Sequence, residues 1–266
     1  MRKLDYKSKV VVLSGASSGI GKSLATELIK KHNCLVFGIA RNEQRLNAVK
    51  NELGENFVPF PFDVSSNENW LNFADFLKNS GLRVDILINC AGILPSFSDF
   101  ENAELCDFEM VMDINYFSQV YACKALIPYI NDLGAIVNIS SSSSLCPFAT
   151  VGSYCASKSA STAFSICLAH ELKRVSVSAV MPGFVKTDIM KNQANLNSKE
   201  KSLIDKFSAN PTKVAKRILR RVGARKKRIV VGIDAHLMSF LYRFFPRLGP
   251  KIISSFLKNS GLELFK

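Results

Sequence analysis

A short apolar run that leads through a glycine-rich turn into helical spacing constrains the fold of this chain most strongly. The run VVVL, Val10–Leu13, suits a strand buried on both faces of a sheet, and Leu24 and Leu28 recur at a helical interval behind the turn. Glycine has no Cβ, so a ligand can approach the backbone where the first helical N–H groups point outward. The turn contains Gly15, Gly19 and Gly21. Such a helix start attracts an anion, and a phosphate is the expected ligand.

Further apolar runs recur along the chain, and most of the intervals between them have helical periodicity. The runs are CLVFGIA, NFVPFPF, VDILINC, GAIVNIS, VSVSAVMP and RIVVG. This alternation predicts an α/β fold, a doubly wound parallel Rossmann-like sheet with helices on both faces. We predict one domain over residues 1–232 with a lid near 188–211. An amphipathic extension over 233–266 is expected to pack on that domain, on a membrane or on a partner.

Composition places the chain among ordinary globular proteins, with 47% hydrophobic and 21% charged residues. No unbroken apolar stretch is long enough to span a bilayer, and the start MRKLDYKSKVVVLSG has too short an apolar run for a secretory signal. The seven cysteines are an odd set without a CxxC pair, which favours reduced thiols over a disulfide framework or a zinc site. We therefore expect a cytoplasmic protein with no bound metal.

Most of the net charge of +13 lies near the C-terminus, because residues 211–266 carry 14 Lys and Arg against two acidic residues. The segment His236–Lys258 mixes large apolar side chains with basic ones, and Pro246 and Pro250 exclude one continuous helix. Two short amphipathic helices that suit an anionic bilayer surface are expected. A dimer contact and a cap over the substrate cleft remain alternatives. Nucleic acid is a weaker candidate partner, because the basic run KRILRRVGARKKR lacks a recognised nucleic-acid module.

Ligands of an open parallel sheet bind beyond the carboxyl ends of its strands. After the second predicted strand comes Ala40-Arg41, where a nucleotide-binding fold reads the adenosine ribose. An acidic residue there would bind a free 2′-hydroxyl, whereas the planar cation of Arg41 suits a 2′-phosphate. This favours NADP over NAD. The alternative is that Arg41 is a solvated residue at the start of the next helix.

Tyr154 and Lys158 stand four residues apart in YCASK, thirteen residues after Ser141. Side chains at i and i+4 share one helix face, so the ammonium can lie near the phenol. A phenol has an ordinary pKa of about 10, and a positive neighbour makes its phenolate accessible. Taken alone, Ser141 could be an ordinary turn residue, and Tyr154 and Lys158 could be an ordinary pair on a helix. Taken together, the three residues favour acid–base chemistry.

Six motifs in order resemble the short-chain dehydrogenase/reductase family over about residues 9–190: SGASSGIG, NCAG, DINYF, NISS, YCASK and PGFVKT. The resemblance implies that Ser141 holds the substrate oxygen and that Tyr154 exchanges its proton. It also implies that Lys158 binds the nicotinamide ribose and lowers the pKa of the phenol, and that Asn115 keeps a water in the proton path. The implied coenzyme-binding residues are Gly15, Ser17, Ser18, Gly19, Ile20, Gly21, Arg41, Asp63, Val64, Asn89, Ala91, Gly92, Tyr154, Lys158, Pro182, Gly183, Val185 and Thr187.

The chain departs from the family pattern at three positions. Ser14 replaces a threonine and keeps its hydroxyl, whereas Ser144 replaces a glycine and is expected to alter the pocket wall. Ser18 stands where many NADP-dependent members have a second basic residue. The prediction of NADP therefore depends mainly on Arg41.

The sequence predicts an NADP(H)-dependent oxidoreductase of apolar ketones or secondary alcohols, lipid-like ones included. The expected apolar wall consists of Ile93, Leu94, Phe97, Leu145, Phe148, Phe184 and Met190, for which core or lid packing is the alternative. A nucleotide-sensing or interaction protein on the same fold is the alternative function. The resemblance also implies a homodimer or homotetramer.

Overall fold

The computed structural model describes residues 3–188 and 208–259. Its centre is a seven-stranded sheet in the order β3-β2-β1-β4-β5-β6-β7, and every neighbouring pair is parallel. The strands are β1 (Val10–Ser14), β2 (Leu35–Ala40), β3 (Phe57–Pro61), β4 (Val84–Asn89), β5 (Ile130–Ile139), β6 (Ser176–Pro182) and β7 (Arg228–Val231). The predicted doubly wound fold is confirmed.

Helices cover both faces of this sheet. They are α1 (Gly19–His32), α2 (Glu43–Leu53), α3 (Asn67–Asn79), α4 (Leu105–Met112), α5 (Ser118–Leu126), α6 (Gly152–Glu171), α7 (Pro211–Gly223), α8 (Ile233–Phe244) and α9 (Gly249–Asn259). Buried side chains of α1, α2 and α7 form one core with the sheet, and those of α3, α5 and α6 form the other. The strand order reverses between β1 and β4, which places the ligand crevice at their carboxyl ends.

The helices are interrupted at two places. Helix α8 ends at Phe244 and α9 begins at Gly249, so Pro246 falls between the helices and Pro250 in the first turn of the second, where proline is tolerated. Between α4 and α5 the chain forms a π-helical turn, Asp113–Phe117, of the kind frequent at functional sites.

The predicted lid near 188–211 lies outside the described residues, apart from its two ends. All seven cysteines lie within the described ranges and are free thiols. Over the described residues, no helix is long and apolar enough to cross a membrane.

Candidate functional site

One cleft of about 350 Å³ lies at the carboxyl edge of the sheet and gathers most of the predicted site residues. It extends from the glycine turn after β1, past the ends of β2 and β4, to the start of α6. The predicted residues that line it are Gly15, Ser17, Ser18, Gly19, Ile20, Gly21, Arg41, Asp63, Val64, Ala91, Gly92, Ser141, Tyr154, Lys158, Pro182, Gly183, Val185 and Thr187. Their roles in binding and catalysis remain predictions.

The glycine turn is built for close backbone approach. Gly15 has a φ of 69°, and a Cβ there would stand 2.8 Å from the backbone nitrogen of Ala91. The Ser14 hydroxyl accepts the backbone N–H groups of Cys90, at 3.1 Å, and of Ala91, at 3.2 Å. Serine therefore ties β1 to the chain after β4, and the retained hydroxyl explains why it can replace threonine at this position.

The end of the cleft at β2 carries two arginines, of which the sequence reasoning found only one. Among the described residues, Arg41 has no hydrogen-bond or ion-pair partner, and its side chain is exposed. Asn42 caps α2 by accepting the Arg45 N–H at 2.8 Å. The side chain of Arg45 also lines the cleft and lies 3.7 Å from the Asp188 carboxylate. No helical spacing in the sequence indicates this second arginine, because Arg41 precedes the N-cap residue Asn42 of α2.

At the opposite end, Ser141, Tyr154 and Lys158 lie together. Ser141 and Tyr154 both line the cleft at this end, where the Ser141 hydroxyl accepts the Ser143 N–H at 3.2 Å. The Lys158 Nζ stands 5.7 Å from the centre of the tyrosine ring and donates to the Ile139 carbonyl oxygen at 3.2 Å. The spacing of four residues on α6 thus places the ammonium beside the phenol, as the sequence predicts.

Burial dominates the acid–base properties of this pair. It raises the pKa of Tyr154 to about 12, and the hydrogen bond from Ser141 only partly opposes this. Burial also lowers the pKa of Lys158 to about 8, because the ammonium loses its hydration. The expected lowering of the phenol pKa by Lys158 does not appear: burial is the largest influence on the pKa of Tyr154, and the opposing influence comes from Ser141.

Asn115 lies in the π-helical turn and is fully buried. Its side chain accepts the Ile93 N–H at 2.8 Å and donates to the Ser157 hydroxyl at 3.0 Å. A Cβ at Gly92 would stand 3.1 Å from both Asn115 Oδ1 and Lys158 Nζ, so the two groups face the same glycine. Asn115 thus holds the chain after β4 against α6 without lining the cleft.

Three expectations need correction. Asn89, predicted to contact the coenzyme, ends β4 with a buried side chain that donates to Asn138 Oδ1 of β5 at 2.8 Å and does not line the cleft. Leu145, predicted to be part of the apolar wall, is buried and does not line the cleft. The Ser144 hydroxyl does not alter that wall, since it donates to the Ser141 carbonyl oxygen at 2.7 Å. Met190 lies outside the described residues.

The substrate end of the cleft is apolar. Among its lining side chains are Ile93, Leu94, Phe97, Phe148 and Phe184, as predicted, and also Ile114 and Val151, which the sequence reasoning missed. The serines after β5 are the polar groups that the cleft offers beside Tyr154 and Lys158. This end of the cleft therefore combines apolar surface with the Ser141 and Tyr154 hydroxyls.

Comparison with known proteins agrees with this geometry. Residues 9–198 match the family model described as short chain dehydrogenase. The dehydrogenase/reductase SDR family member 7B of Xenopus laevis is 34% identical over 284 residues, which cover 97% of this chain and 87% of that protein. An 11-beta-hydroxysteroid dehydrogenase A of Sesamum indicum is 38% identical over 191 residues, covering 70% of this chain and 55% of that protein.

A solved structure shows the same fold at lower identity. The short chain dehydrogenase/reductase of Burkholderia phymatum in complex with NAD superposes with a TM-score of 0.79 at 21% identity, covering 91% of this chain and 96% of that one. The fold of the described residues is therefore shared with a dinucleotide-binding protein.

Proposed function

The chain belongs to the short-chain dehydrogenase/reductase family, a family of oxidoreductases that use NAD or NADP, and on that premise we propose that it is an NADP(H)-dependent oxidoreductase of apolar ketones or secondary alcohols. The observation that carries this proposal is the meeting of Ser141, Tyr154 and Lys158 at the apolar end of a cleft whose other end is basic. The family commonly forms oligomers and takes small-molecule substrates.

The residues present fit a phosphorylated dinucleotide. The glycine turn leaves a space at Gly15 that a Cβ would fill, and it leads into the N-terminus of α1, which favours a pyrophosphate. At the β2 end, Arg41 and Arg45 offer two cations and the N-terminus of α2 adds a partial positive charge. A 2′-phosphate satisfies this group of donors, whereas a free 2′-hydroxyl offers no negative charge to Arg41.

When bound, the nicotinamide coenzyme supplies or accepts the hydride. For a ketone, the Ser141 and Tyr154 hydroxyls donate hydrogen bonds to its oxygen. Tyr154 then gives that oxygen a proton, which completes the alcohol, and Lys158 lies close enough to favour return of a proton to the phenolate. For an alcohol, the same groups take the proton in the opposite direction.

The lining of the cleft supports an apolar substrate. Ile93, Phe97, Phe148 and Phe184 supply aromatic and aliphatic surface around the hydroxyl pair, with the polar groups confined to the serines, Tyr154 and Lys158. The Sesamum indicum relative is named for a hydroxysteroid, which is a large apolar secondary alcohol, and this name agrees with the lining.

A panel of ketones and secondary alcohols tests the function. We expect NADPH to be oxidised in the presence of apolar cyclic or long-chain ketones, measured by loss of the absorbance of the reduced coenzyme, and to react slowly with small polar ones. Binding of NADPH without turnover of any panel member would instead favour the alternative, a nucleotide-sensing or interaction protein.

The lowered pKa of Lys158 predicts the pH dependence of both directions. Below pH about 8 the ammonium keeps its proton, so kcat/KM for ketone reduction should be high there and fall as the pH rises through about 8. Alcohol oxidation needs Lys158 without its proton, so kcat/KM for oxidation should rise as the pH passes through about 8. Cys90→Ser is the control. The change in kcat/KM near pH 8 should persist in this variant, because burial raises the pKa of the Cys90 thiol to about 12. Flat profiles from pH 7 to 9 in both directions would contradict the assignment.

We further propose that α8 and α9 bring the protein to an anionic membrane from the cytoplasm. Ile233, Leu237, Phe240 and Phe244 form an exposed stripe on α8, while Ala235 and Met238 face the protein. Exposed basic side chains lie beside this stripe at Arg243, Arg247 and Lys251. An apolar stripe beside cations matches a bilayer that carries acidic headgroups.

Sedimentation with vesicles tests this surface. We expect binding to vesicles that contain phosphatidylserine, weakened but not abolished by salt, because burial of apolar side chains is not screened. Leu237→Ser with Phe244→Ser should reduce binding severalfold, whereas Leu71→Ser, an exposed leucine on α3, should not. Absence of vesicle binding, with a smaller mass by light scattering for the double variant, would assign the stripe to a subunit contact.

We also propose that the protein forms a homodimer or homotetramer. Exposed apolar side chains, among them Phe117 in the π-helical turn and Ile166 on α6, lie on the helices that the family resemblance assigns to subunit pairing. The mass of the unmodified protein in the same light-scattering experiment tests it.

A further inference from the structure

The turn that follows β6 is held from outside the cleft by one carboxylate. The Phe184 N–H donates to Asp234 Oδ2 at 2.6 Å, across 50 residues of sequence. The preceding N–H, of Gly183, donates to the Val231 carbonyl oxygen at 2.8 Å. Two successive backbone groups of the turn are thus bonded to the end of β7 and the start of α8.

Two glycines make the room for this carboxylate. A Cβ at Gly183 would overlap both oxygens of Asp234, and a Cβ at Gly232 would overlap Oδ1. Gly232 also has a φ of 120°, a conformation that residues with a side chain rarely adopt. The Asp234 side chain therefore occupies a slot that the backbone on both sides leaves open.

The helix that carries Asp234 favours its charge. Asp234 is in the first turn of α8, whose N-cap residue Gly232 has no side chain to cap the helix. The unpaired N–H groups at a helix N-terminus stabilise a nearby anion. A carboxylate bonded to a backbone N–H at 2.6 Å is a charge-assisted hydrogen bond, which is stronger than a bond between neutral groups.

The far side of the turn is bonded as well, so its shape is set between two supports. The Ala209 N–H donates to the Phe184 carbonyl oxygen at 2.9 Å, and the Lys186 N–H donates to the Ala209 carbonyl oxygen at 3.0 Å. Beyond them, Thr187 packs against Gly19 at the start of α1. The turn lines the cleft with Phe184 and Val185 while Asp234 fixes its outer edge.

We propose that Asp234 is a positioning residue that holds the turn Gly183–Thr187 in the shape required by the nicotinamide half of the coenzyme. This inference rests on the proposed function, in which that turn faces the nicotinamide. Asp234 does not line the cleft and acts through the Phe184 N–H. In the proposed function the adenosine half binds at Arg41 and Arg45, at the other end of the cleft, so its affinity should not depend on Asp234.

Titration calorimetry with two ligands tests the two halves of the coenzyme site separately. The ligands are NADPH, and 2′,5′-ADP, which keeps the adenosine and its 2′-phosphate but has no nicotinamide. Loss of one charge-assisted hydrogen bond in Asp234→Ala should weaken NADPH by about tenfold or more. The Kd of 2′,5′-ADP should stay unchanged. Asp234→Asn keeps an oxygen acceptor in the same place and should recover most of the NADPH affinity.

Asp107→Ala is the matched control, because it removes an acidic side chain that lies in the first turn of α4 and does not line the cleft, and it should change neither Kd. If Asp234→Ala does not fold, Asp234→Ser replaces it, since a shorter hydroxyl cannot reach the Phe184 N–H. Equal weakening of both ligands, or unchanged NADPH affinity in a folded variant, overturns the inference. If the unmodified protein binds neither ligand, the proposed function itself fails.

Discussion

Tyr154→Phe should lower kcat by about 10²–10⁴-fold, the range typical of losing a general acid–base group, while the Kd for NADPH stays almost unchanged. The substitution removes the hydroxyl proposed to exchange a proton with the substrate and keeps the ring, whose centre lies 5.7 Å from Lys158 Nζ. Both ketone reduction and alcohol oxidation should fall, because the same oxygen handles the proton in each direction. Initial rates on a substrate from the panel, together with fluorescence titration of NADPH, give the two quantities.

The control for this variant is Tyr129→Phe. Tyr129 ends a short 3-10 turn just before β5, so it lies at the amino edge of the sheet, opposite the cleft. The control should keep full activity. A Tyr154→Phe protein that retained most of its kcat would remove Tyr154 from the role of acid and base, and one that lost NADPH binding in parallel would assign the residue to coenzyme binding instead.

Arg41→Ala should raise the Kd of NADPH by about 10- to 100-fold and leave the Kd of NADH nearly unchanged, because a hydrogen bond to a charged group contributes about 1.5–3 kcal/mol. Arg41 is exposed, lines the cleft at the end of β2 and has no bonding partner among the described residues, so its guanidinium is available to a phosphate. Arg45→Ala should have a smaller effect of the same sign, since that arginine already faces the Asp188 carboxylate at 3.7 Å.

The comparison of the two coenzymes is what makes this result specific. Lys50→Ala removes one positive charge from the last turn of α2, where Lys50 pairs with Glu55 at 2.7 Å, and should affect both coenzymes little. A general effect of net charge would make Lys50→Ala resemble Arg41→Ala. Equal losses of NADPH and NADH affinity in Arg41→Ala would remove the argument for recognition of a 2′-phosphate.

Much of the candidate site could be predicted because its parts are local in sequence. Tyr154 and Lys158 lie on one helix, where four residues make one turn, so their proximity follows from spacing alone. The glycine turn follows a strand directly and starts a helix, so the anion-binding backbone is also a local property. The order of these motifs was sufficient to indicate the family and the parallel sheet.

Other features could not be predicted, because they depend on which face of an element meets which neighbour. Asn89 stands in a motif of the family, yet as the last residue of β4 it bonds to Asn138 of β5 and Cys123 of α5, because successive side chains of a strand alternate between the two faces of the sheet. The ion pair between Arg45 and Asp188 and the bond between Phe184 and Asp234 each join segments that are distant in sequence. No periodicity within either segment indicates such a contact.

The sequence by itself therefore determined the class of fold, the family, and the serine, tyrosine and lysine that make the chemistry plausible, because apolar periodicity and short spacings act within a few residues. Only the tertiary structure decided how these groups are buried. Desolvation by surrounding elements raises the pKa of Tyr154 to about 12 and lowers that of Lys158 to about 8. The tertiary structure also places the Asp234 carboxylate, from the C-terminal extension, against the turn after β6. Burial and long-range contact arise from the packing of the whole chain, and so they appear only when the chain is folded.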